Sequence, residues 1–270
     1  MSQLNTPTLT VYIDGIGLLG PGLNGWPDSV SILTGQQPYL SQTTILPSPV
    51  LLAAAERRRS GAIVKLTLAA GLEAVTAANL DPATLPCVYT ASGGDGQNCH
   101  EICQALASDD RDISPTRFHN SVHNAAAGYW SIATGAMTPI SVLCAYDASF
   151  GAGLLEALTQ AIVDNTTTLL IASDTTYPEP LHHVRPIPDN FGVALVLSPR
   201  KSSQSLAKIS VSMTDDRAHQ LNDAGLEQLR LNIPAARSLP MLQALAQGQN
   251  ERIVLDYFDH LRIAVELSTC

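Results

Sequence analysis

The sequence predicts an α/β fold in which helices and strands form packed layers around one core. Runs of apolar, largely β-branched residues alternate with Ala- and Leu-rich stretches, an order that is typical of α/β layering. Several apolar runs are continuous, as expected for strands that are covered on both faces. Because 45% of the 270 residues are hydrophobic and only 14% are charged, the chain can bury a large core.

Residues 1–200 contain five short runs rich in Val, Ile and Leu, which predict strands. These strands are Leu9–Ile13, Cys87–Tyr89, Ser141–Ala145, Thr168–Ala172 and Val193–Leu197. Stretches of helix-favouring composition lie between them. They predict helices over Val50–Asn79, with a break near Ser60-Gly61, and over His100–Ala107, Asn120–Gly135 and Gly151–Val163. The Gly/Pro/Ser-rich segment Leu23–Leu46 predicts a loop with a helical turn at Ser29–Leu33.

The composition changes after Pro199. A Ser/Gln-rich linker is followed by residues that favour one strand, two helices and two closing strands. The elements are Lys208–Met213, Leu221–Leu229, Met241–Gln247, Arg252–Tyr257 and Arg262–Leu267. We expect residues 201–270 to form a shortened segment that packs on the core of residues 1–200, so that the chain is a single structural unit.

The charge distribution argues against nucleic-acid binding. The net charge is −9 and the chain has three lysines, whereas phosphate neutralisation requires clustered basic residues. The basic run Arg57–Arg59 is interpreted either as a solvated helix start or as a patch that meets an acidic partner.

The sequence also favours a cytoplasmic protein. The first 15 residues lack the basic and apolar regions of a secretory leader, and no apolar stretch approaches the ~20 residues of a membrane span. Five cysteines without framework spacing fit a reducing compartment.

The segment Gly15–Gly20 matches the pattern G-x-G-x-x-G of dinucleotide-binding loops. Such a loop requires a helix directly after it, with its N-terminus facing the pyrophosphate, and an acidic residue after the next strand. Pro21, Gly25 and Pro27 follow instead, and no strand ending in Asp or Glu arrives near residues 35–40. A nucleotide-dependent oxidoreductase therefore stays only as a third hypothesis.

Two residue pairs have a spacing that could ligate metal. Cys99 and Cys103 lie four apart beside His100, and His119 and His123 lie four apart on a predicted helix, with Asn120 as its candidate cap. Zinc needs about four ligands from more than one segment, and neither pair has a second cluster nearby. We expect no metal.

The most informative segment is Met137–Leu158, where an apolar strand turns through small residues into a helix. Such an elbow presents a nucleophile above the N-terminus of the helix in several acyl-transfer folds. The turn contains Tyr146, Asp147, Ala148 and Ser149. Cys144 is interpreted as a buried strand residue, although a shorter strand would expose it as a nucleophile.

The segments around the elbow resemble β-ketoacyl synthases in order and spacing. They are Val11–Gly22, Arg57–Leu80, Pro86–Gly96, Ser114–Ser149, Thr166–Thr175 and Asn190–Pro199. The resemblance covers residues 9–200 and is strongest to the short chain length factors of aryl polyene pathways, which are ketosynthase-like proteins that pair with an active ketosynthase. It implies a thiolase-like layered fold with a largely complete N-terminal half and a truncated C-terminal half.

The resemblance also implies that the chain does not catalyse condensation. Counting from Pro139, the position of the reactive cysteine falls on Asp147, and a carboxylate cannot accept an acyl chain as a thiolate does. None of the seven histidines matches the family's His-Gly-Thr-Gly-Thr or Gly-His motifs. We therefore expect no catalytic residue and no cofactor.

In this interpretation the chain forms a heterodimer with a catalytic ketosynthase, meets acyl carrier protein through that complex, and walls part of the acyl tunnel. The resemblance places the helix after Pro115 and the elbow near the dimer contact and the acyl cavity. The candidates for tunnel or interface residues are Phe118, His119, Asn120, His123, Tyr129, Trp130, Tyr146 and Phe150. The alternative is a free-standing acyltransferase or hydrolase that uses Cys144 or Ser149.

Overall fold

The computed structural model describes residues 8–270, so part of the segment interpreted as lacking a leader lies outside the described residues. The strands are β1 Leu9–Gly20, β2 Leu23–Asn24, β3 Cys87–Thr90, β4 Ile140–Leu143, β5 Thr168–Asp174, β6 Phe191–Ser198, β7 Ala207–Thr214, β8 Glu251–Phe258 and β9 Leu261–Thr269. The helices are α1 Trp26–Leu33, α2 Ala54–Arg59, α3 Ala62–Ala77, α4 Gly96–Leu106, α5 Pro115–His119, α6 Ala125–Thr134, α7 Ser149–Val163, α8 Leu181–Val184, α9 Ala224–Asn232 and α10 Leu239–Gln247. Short 3₁₀ helices lie at Pro82–Thr84, Tyr146–Ala148 and Pro234–Ser238.

All of these strands join one mixed sheet in the order β4-β3-β5-β6-β1-β7-β9-β8, with β2 paired to the end of β1. Strands β4, β3 and β5 are parallel, and each neighbouring pair from β5 to β8 is antiparallel. The parallel strands are joined by helical crossovers, as such pairs require. Because β3, β4 and β5 run in the same direction, the loops that follow them meet at one edge of the sheet, where the elbow lies.

The sheet is covered on both faces. Every residue of β5 and β6 is buried, which agrees with the continuous apolar runs of the sequence. One face packs against α7, α9, α10 and the 3₁₀ helix Pro234–Ser238, and the other packs against α3 and α6. Elements from residues 201–270 thus contribute to the same core cluster as β1, β5 and β6.

The glycine motif lies inside a strand. A bulge between Ile13 and Gly15 shifts the register of β1, and Gly15 and Gly17 then face α3. A methyl group on either glycine would overlap a backbone carbonyl oxygen of α3, that of Ala74 or of Ala70. The motif therefore allows a helix to approach a strand closely, and the predicted strand Leu9–Ile13 was too short because the glycines suggested a turn. This packing role argues against a dinucleotide-binding loop.

This packing makes Gly17→Ala a test of the fold. The added methyl group meets backbone atoms that cannot rotate away, so we expect the free energy of unfolding to fall by about 1–3 kcal/mol or more. Gly128→Ala in α6 is the matched control, because an added methyl group there has no neighbour within 4 Å and alanine favours a helix. The melting temperature should fall for the first variant and stay the same or rise for the second. Equal melting temperatures would contradict the close approach of β1 and α3.

Among the described residues, no helix combines the length and apolar character that crossing a bilayer requires.

Candidate functional site

The elbow forms where β4 ends at Leu143 and α7 begins at Ser149. Between them the chain makes a 3₁₀ turn in which Tyr146 has a φ of 52°, a left-handed conformation that is unusual for a bulky side chain. The buried Ser149 hydroxyl donates to the Tyr146 carbonyl oxygen (2.7 Å) and accepts from the Ala145 N–H (3.1 Å). These bonds fix the turn and explain why α7 begins two residues earlier than the sequence predicted.

Asp147 is engaged by two arginines from distant parts of the chain. Arg185, which follows α8, places its guanidinium 2.7 Å from Asp147 Oδ1, and Arg237 lies 3.5 Å from Oδ2. Both arginine side chains are less than one-fifth exposed, whereas the Asp147 side chain is 42% exposed. Partial burial disfavours the charge on Arg185, but the hydrogen bond and the charge of Asp147 outweigh it and raise the pKa of Arg185 above its ordinary value. Asp147 therefore holds these two arginines together at the elbow.

Tyr146 projects from the same turn. Its side chain is 60% exposed, and the Arg185 guanidinium stacks 3.6 Å from its ring centroid. It lines an open cavity of about 630 Å³ between the elbow, Arg237 and the turn that connects β8 to β9. The β8–β9 turn contributes the apolar side chains of Tyr257, Phe258 and Leu261 to this cavity, together with Asp259 and His260.

A buried carboxylate lies at the same edge of the sheet. Asp174, at the end of β5, accepts hydrogen bonds from the Ser92 N–H (2.8 Å), the Ser92 hydroxyl (2.5 Å) and the Ala235 N–H (2.7 Å). It joins the loop after β3 to the 3₁₀ helix of the carboxyl-terminal segment. Burial raises the pKa of Asp174, although these donors partly offset the effect.

The two alternative nucleophiles occupy different environments. Cys144 lies beyond the end of β4 and is exposed, so its interpretation as a buried strand residue was wrong; the strand ends at Leu143 rather than at Ala145. Its thiol lies 3.4 Å from the Ser92 carbonyl oxygen, with which it hydrogen-bonds. The Ser149 hydroxyl is buried and engaged in the turn, a geometry that does not suit a nucleophile.

The predicted helix Asn120–Gly135 is divided in two. His119 ends α5 and His123 lies in the turn before α6, so the two histidines do not share a helical face. Asn120 does not cap the following helix: it is buried, donates to the Arg59 carbonyl oxygen (2.9 Å) and accepts from the Tyr129 hydroxyl (3.2 Å). The turn forms because these side-chain bonds compete with helix continuation.

The bulky candidates separate into core and surface. Trp130 and Phe150 are fully buried on opposite faces of the sheet, and Tyr129 is 1% exposed, so none of the three presents an open surface to a partner. Phe118 is 69% exposed. With Val122 and Ile132 it forms the apolar side of a groove of about 460 Å³ between α5 and α6, which we call the α5–α6 groove.

Within residues 8–270, no three His, Cys, Asp or Glu side chains converge in a way that could hold a metal ion. The site residues that the sequence did not indicate are Arg185, Arg237 and Asp174. Each of them contacts a residue that is distant in the sequence. The only feature of the sequence that suggested a basic partner was the charged residue Asp147 at the elbow.

Residues 34–256 match the family described as β-ketoacyl synthase, N-terminal domain. None of the curated proteins matches the chain significantly.

The chain also resembles several solved structures of the same type. One is the ketosynthase ApeO in complex with its chain length factor ApeC from Xenorhabdus doucetiae, with 23% identity, a TM-score of 0.72, and coverage of 96% of this chain and 99% of that chain. Another is the ishigamide ketosynthase/chain length factor, with 13% identity, a TM-score of 0.69, and coverage of 96% and 99%. A third is a type II polyketide acyl-carrier protein in complex with its ketosynthase bound to the hexaketide, with 11% identity, a TM-score of 0.73, and coverage of 98% and 100%. At these identities the likeness establishes the thiolase-like ketosynthase fold.

Proposed function

The chain belongs to the β-ketoacyl synthase N-terminal domain family, and on that premise we propose that it is a non-catalytic chain length factor. In this proposal it forms a heterodimer with a catalytic ketosynthase that extends a polyene chain of the aryl polyene type on acyl carrier protein. It stabilises the ketosynthase and forms part of the wall of the acyl tunnel. The complex acts in the cytoplasm. Residues 1–200 act as the ketosynthase-like half, and residues 201–270 complete the same structural unit.

Asp147 carries this proposal. It occupies the place at the elbow where the family resemblance puts the reactive cysteine, and its carboxylate is ion-paired with Arg185 and Arg237. Acyl transfer in this family needs a nucleophile that forms a thioester and later releases the chain. A carboxylate held between two guanidinium groups is a weak nucleophile, so in this proposal the partner supplies the thiol.

The surface chemistry supports a protein partner. Phe118, Val122 and Ile132 leave more than half of each side chain exposed along the α5–α6 groove, and Met137 nearby in sequence is 96% exposed. Clustered apolar side chains of this kind mark protein contacts. The solved relatives described as ketosynthase and chain length factor complexes support the choice of a ketosynthase as the partner.

The test is co-expression with a catalytic ketosynthase from the same organism. We expect a stable 1:1 complex by size-exclusion chromatography with light scattering, and self-association or poor solubility of the chain alone, because its apolar surface is then uncovered. A well-behaved monomer without measurable affinity for that ketosynthase would argue strongly against the proposal.

Intact-mass spectrometry then locates the acyl group. After incubation with acyl-loaded carrier protein, the adduct is expected on the ketosynthase and not on this chain. Asp147→Ala is expected to leave the rate of elongation largely intact, since Asp147 forms no acyl bond. An adduct on this chain that disappears in Cys144→Ser would instead establish the acyltransferase alternative, because Cys144 is exposed beside the elbow.

A further inference from the structure

Tyr146 has an exposed side chain and a strained, left-handed backbone conformation. Among the described residues, the non-glycine positions with positive φ are Asn79, Tyr146 and Asn165. Asparagine adopts this conformation readily, whereas a bulky aromatic residue rarely does. A strained residue of this kind persists only where the surrounding structure holds it, and such residues concentrate at functional sites.

Arg185 and Asp147 hold the ring of Tyr146 in place. The Arg185 guanidinium lies 3.6 Å from the ring centroid and donates to Asp147 Oδ1 at 2.7 Å. Since the Arg185 side chain is only 16% exposed, it has little freedom to move. One face of the Tyr146 ring is thus fixed against Arg185, while 60% of the side chain remains open.

The open part of Tyr146 lines the cavity beside the elbow. At about 630 Å³ the open cavity is large enough for part of an extended acyl chain. Tyr257, Phe258 and Leu261 give it apolar surface, and the polar side chains of Asp147, Arg237, Asp259 and His260 also line it. Trp130, Phe150 and Tyr129, in contrast, are confined to the interior of the chain.

We propose that Tyr146 is the specificity-determining residue of this chain, which meets the growing acyl chain and limits its length, and that Arg185 and Asp147 are its positioning residues. The inference rests on the proposed function. The ring excludes further two-carbon units by sterics, because an added unit would have to overlap it or push it away from Arg185. The carboxylate at the elbow thereby gains a role: it orients Arg185 and, through Arg185, the ring.

The test measures product length, elongation rate and melting temperature for the complex with the ketosynthase. Tyr146→Gly removes the ring and the backbone strain together, so we expect products longer by one or more two-carbon units without a lower melting temperature. Tyr146→Phe keeps the ring and should keep the wild-type product length. The elongation rate is measured for each variant, so that a change in product length is distinguished from a general loss of activity.

Arg185→Gln tests the positioning role. It frees the ring without removing it, so we expect a broader product distribution shifted towards that of Tyr146→Gly. If Arg185 acts through Tyr146, adding Arg185→Gln to Tyr146→Gly should produce no further shift. The matched controls are Arg252→Gln, which removes a surface arginine paired with Asp216 and Glu266, and Leu231→Ala, which removes an exposed apolar side chain of α9.

The outcomes separate this inference from the proposed function. If the complex assembles and elongates but Tyr146→Gly gives wild-type product lengths, the inference is overturned and the proposed function stands. If no complex forms, or the ketosynthase gives the same products without this chain, the proposed function itself fails. A shift produced equally by Arg252→Gln or Leu231→Ala would also overturn the role of Tyr146.

Discussion

Trp130→Ala is expected to destabilise the protein by about 3–5 kcal/mol, which corresponds to a fall in melting temperature of roughly 10 °C. The indole is fully buried against Gly71 of α3 and Ile171 of β5. A helix and a strand that are fixed by the sheet cannot close the space that it leaves, so a cavity remains. The measurement is the melting temperature of the complex, together with its product length.

Phe118→Ala is the matched control for Trp130→Ala. Phe118 belongs to the same region, but 69% of its side chain is exposed, so its removal should leave the stability of the chain nearly unchanged. We expect a weaker affinity for the ketosynthase instead, because the α5–α6 groove loses an apolar contact. If Trp130→Ala kept its melting temperature and lengthened the product, Trp130 would belong to the tunnel and not to the core.

Asp174→Ala is expected to lower the stability of the protein by about as much as Trp130→Ala does. It leaves the backbone N–H groups of Ser92 and Ala235 without an acceptor in the interior, at about 1–3 kcal/mol for each group. It also removes the link between the loop after β3 and residues 234–238. We expect a lower melting temperature and faster proteolysis of the carboxyl-terminal segment, measured against Asp81→Ala, which removes an exposed carboxylate that caps only a short 3₁₀ helix.

The pH dependence of stability follows from the buried Asp174 carboxyl. Because its pKa is raised in the folded state, the folded protein holds this proton over a pH range in which the unfolded chain has released it. The stability of wild type relative to Asp174→Asn should therefore fall as pH rises from the ordinary aspartate pKa through the raised value, and then level off. Unfolding free energies of both variants across the acidic range provide the measurement. A difference that is constant with pH would contradict a raised pKa of Asp174 in the folded state.

The sequence predicted those elements whose signal is local. The continuous apolar runs of β5 and β6 and the break at Ser60-Gly61 were confirmed, since burial on both faces and a helix interruption each depend on neighbouring residues. The length of β1 was wrong because the role of Gly17 depends on α3, which follows some fifty residues later.

The candidate site shows the same division. The elbow and Asp147 could be located from the strand and the small residues around them. Arg185 forms an ion pair with Asp147 across 38 positions, and Ser92 donates hydrogen bonds to Asp174 across 82 positions. Neither partner could be located, because contacts between distant segments leave no periodic pattern in the sequence. Phe118 and Trp130 are both large aromatic residues, and the sequence alone does not distinguish a buried ring from an exposed one. The packing of α5 and α6 leaves Phe118 exposed and buries Trp130.

The pairing of β1 has a consequence for how the chain folds during synthesis. Its residues lie opposite β6 and β7, so that Leu9 is a neighbour of Val211 and Leu19 of Gly192. Apart from its last two residues, which pair with the nearby β2, β1 therefore stays unpaired during synthesis until nearly two hundred further residues have been added. At ~5–20 residues per second this delay lasts on the order of ten seconds or more. Because an unpaired strand edge is a template for association with another chain, we expect the nascent chain to need protection by chaperones before a subunit can bind.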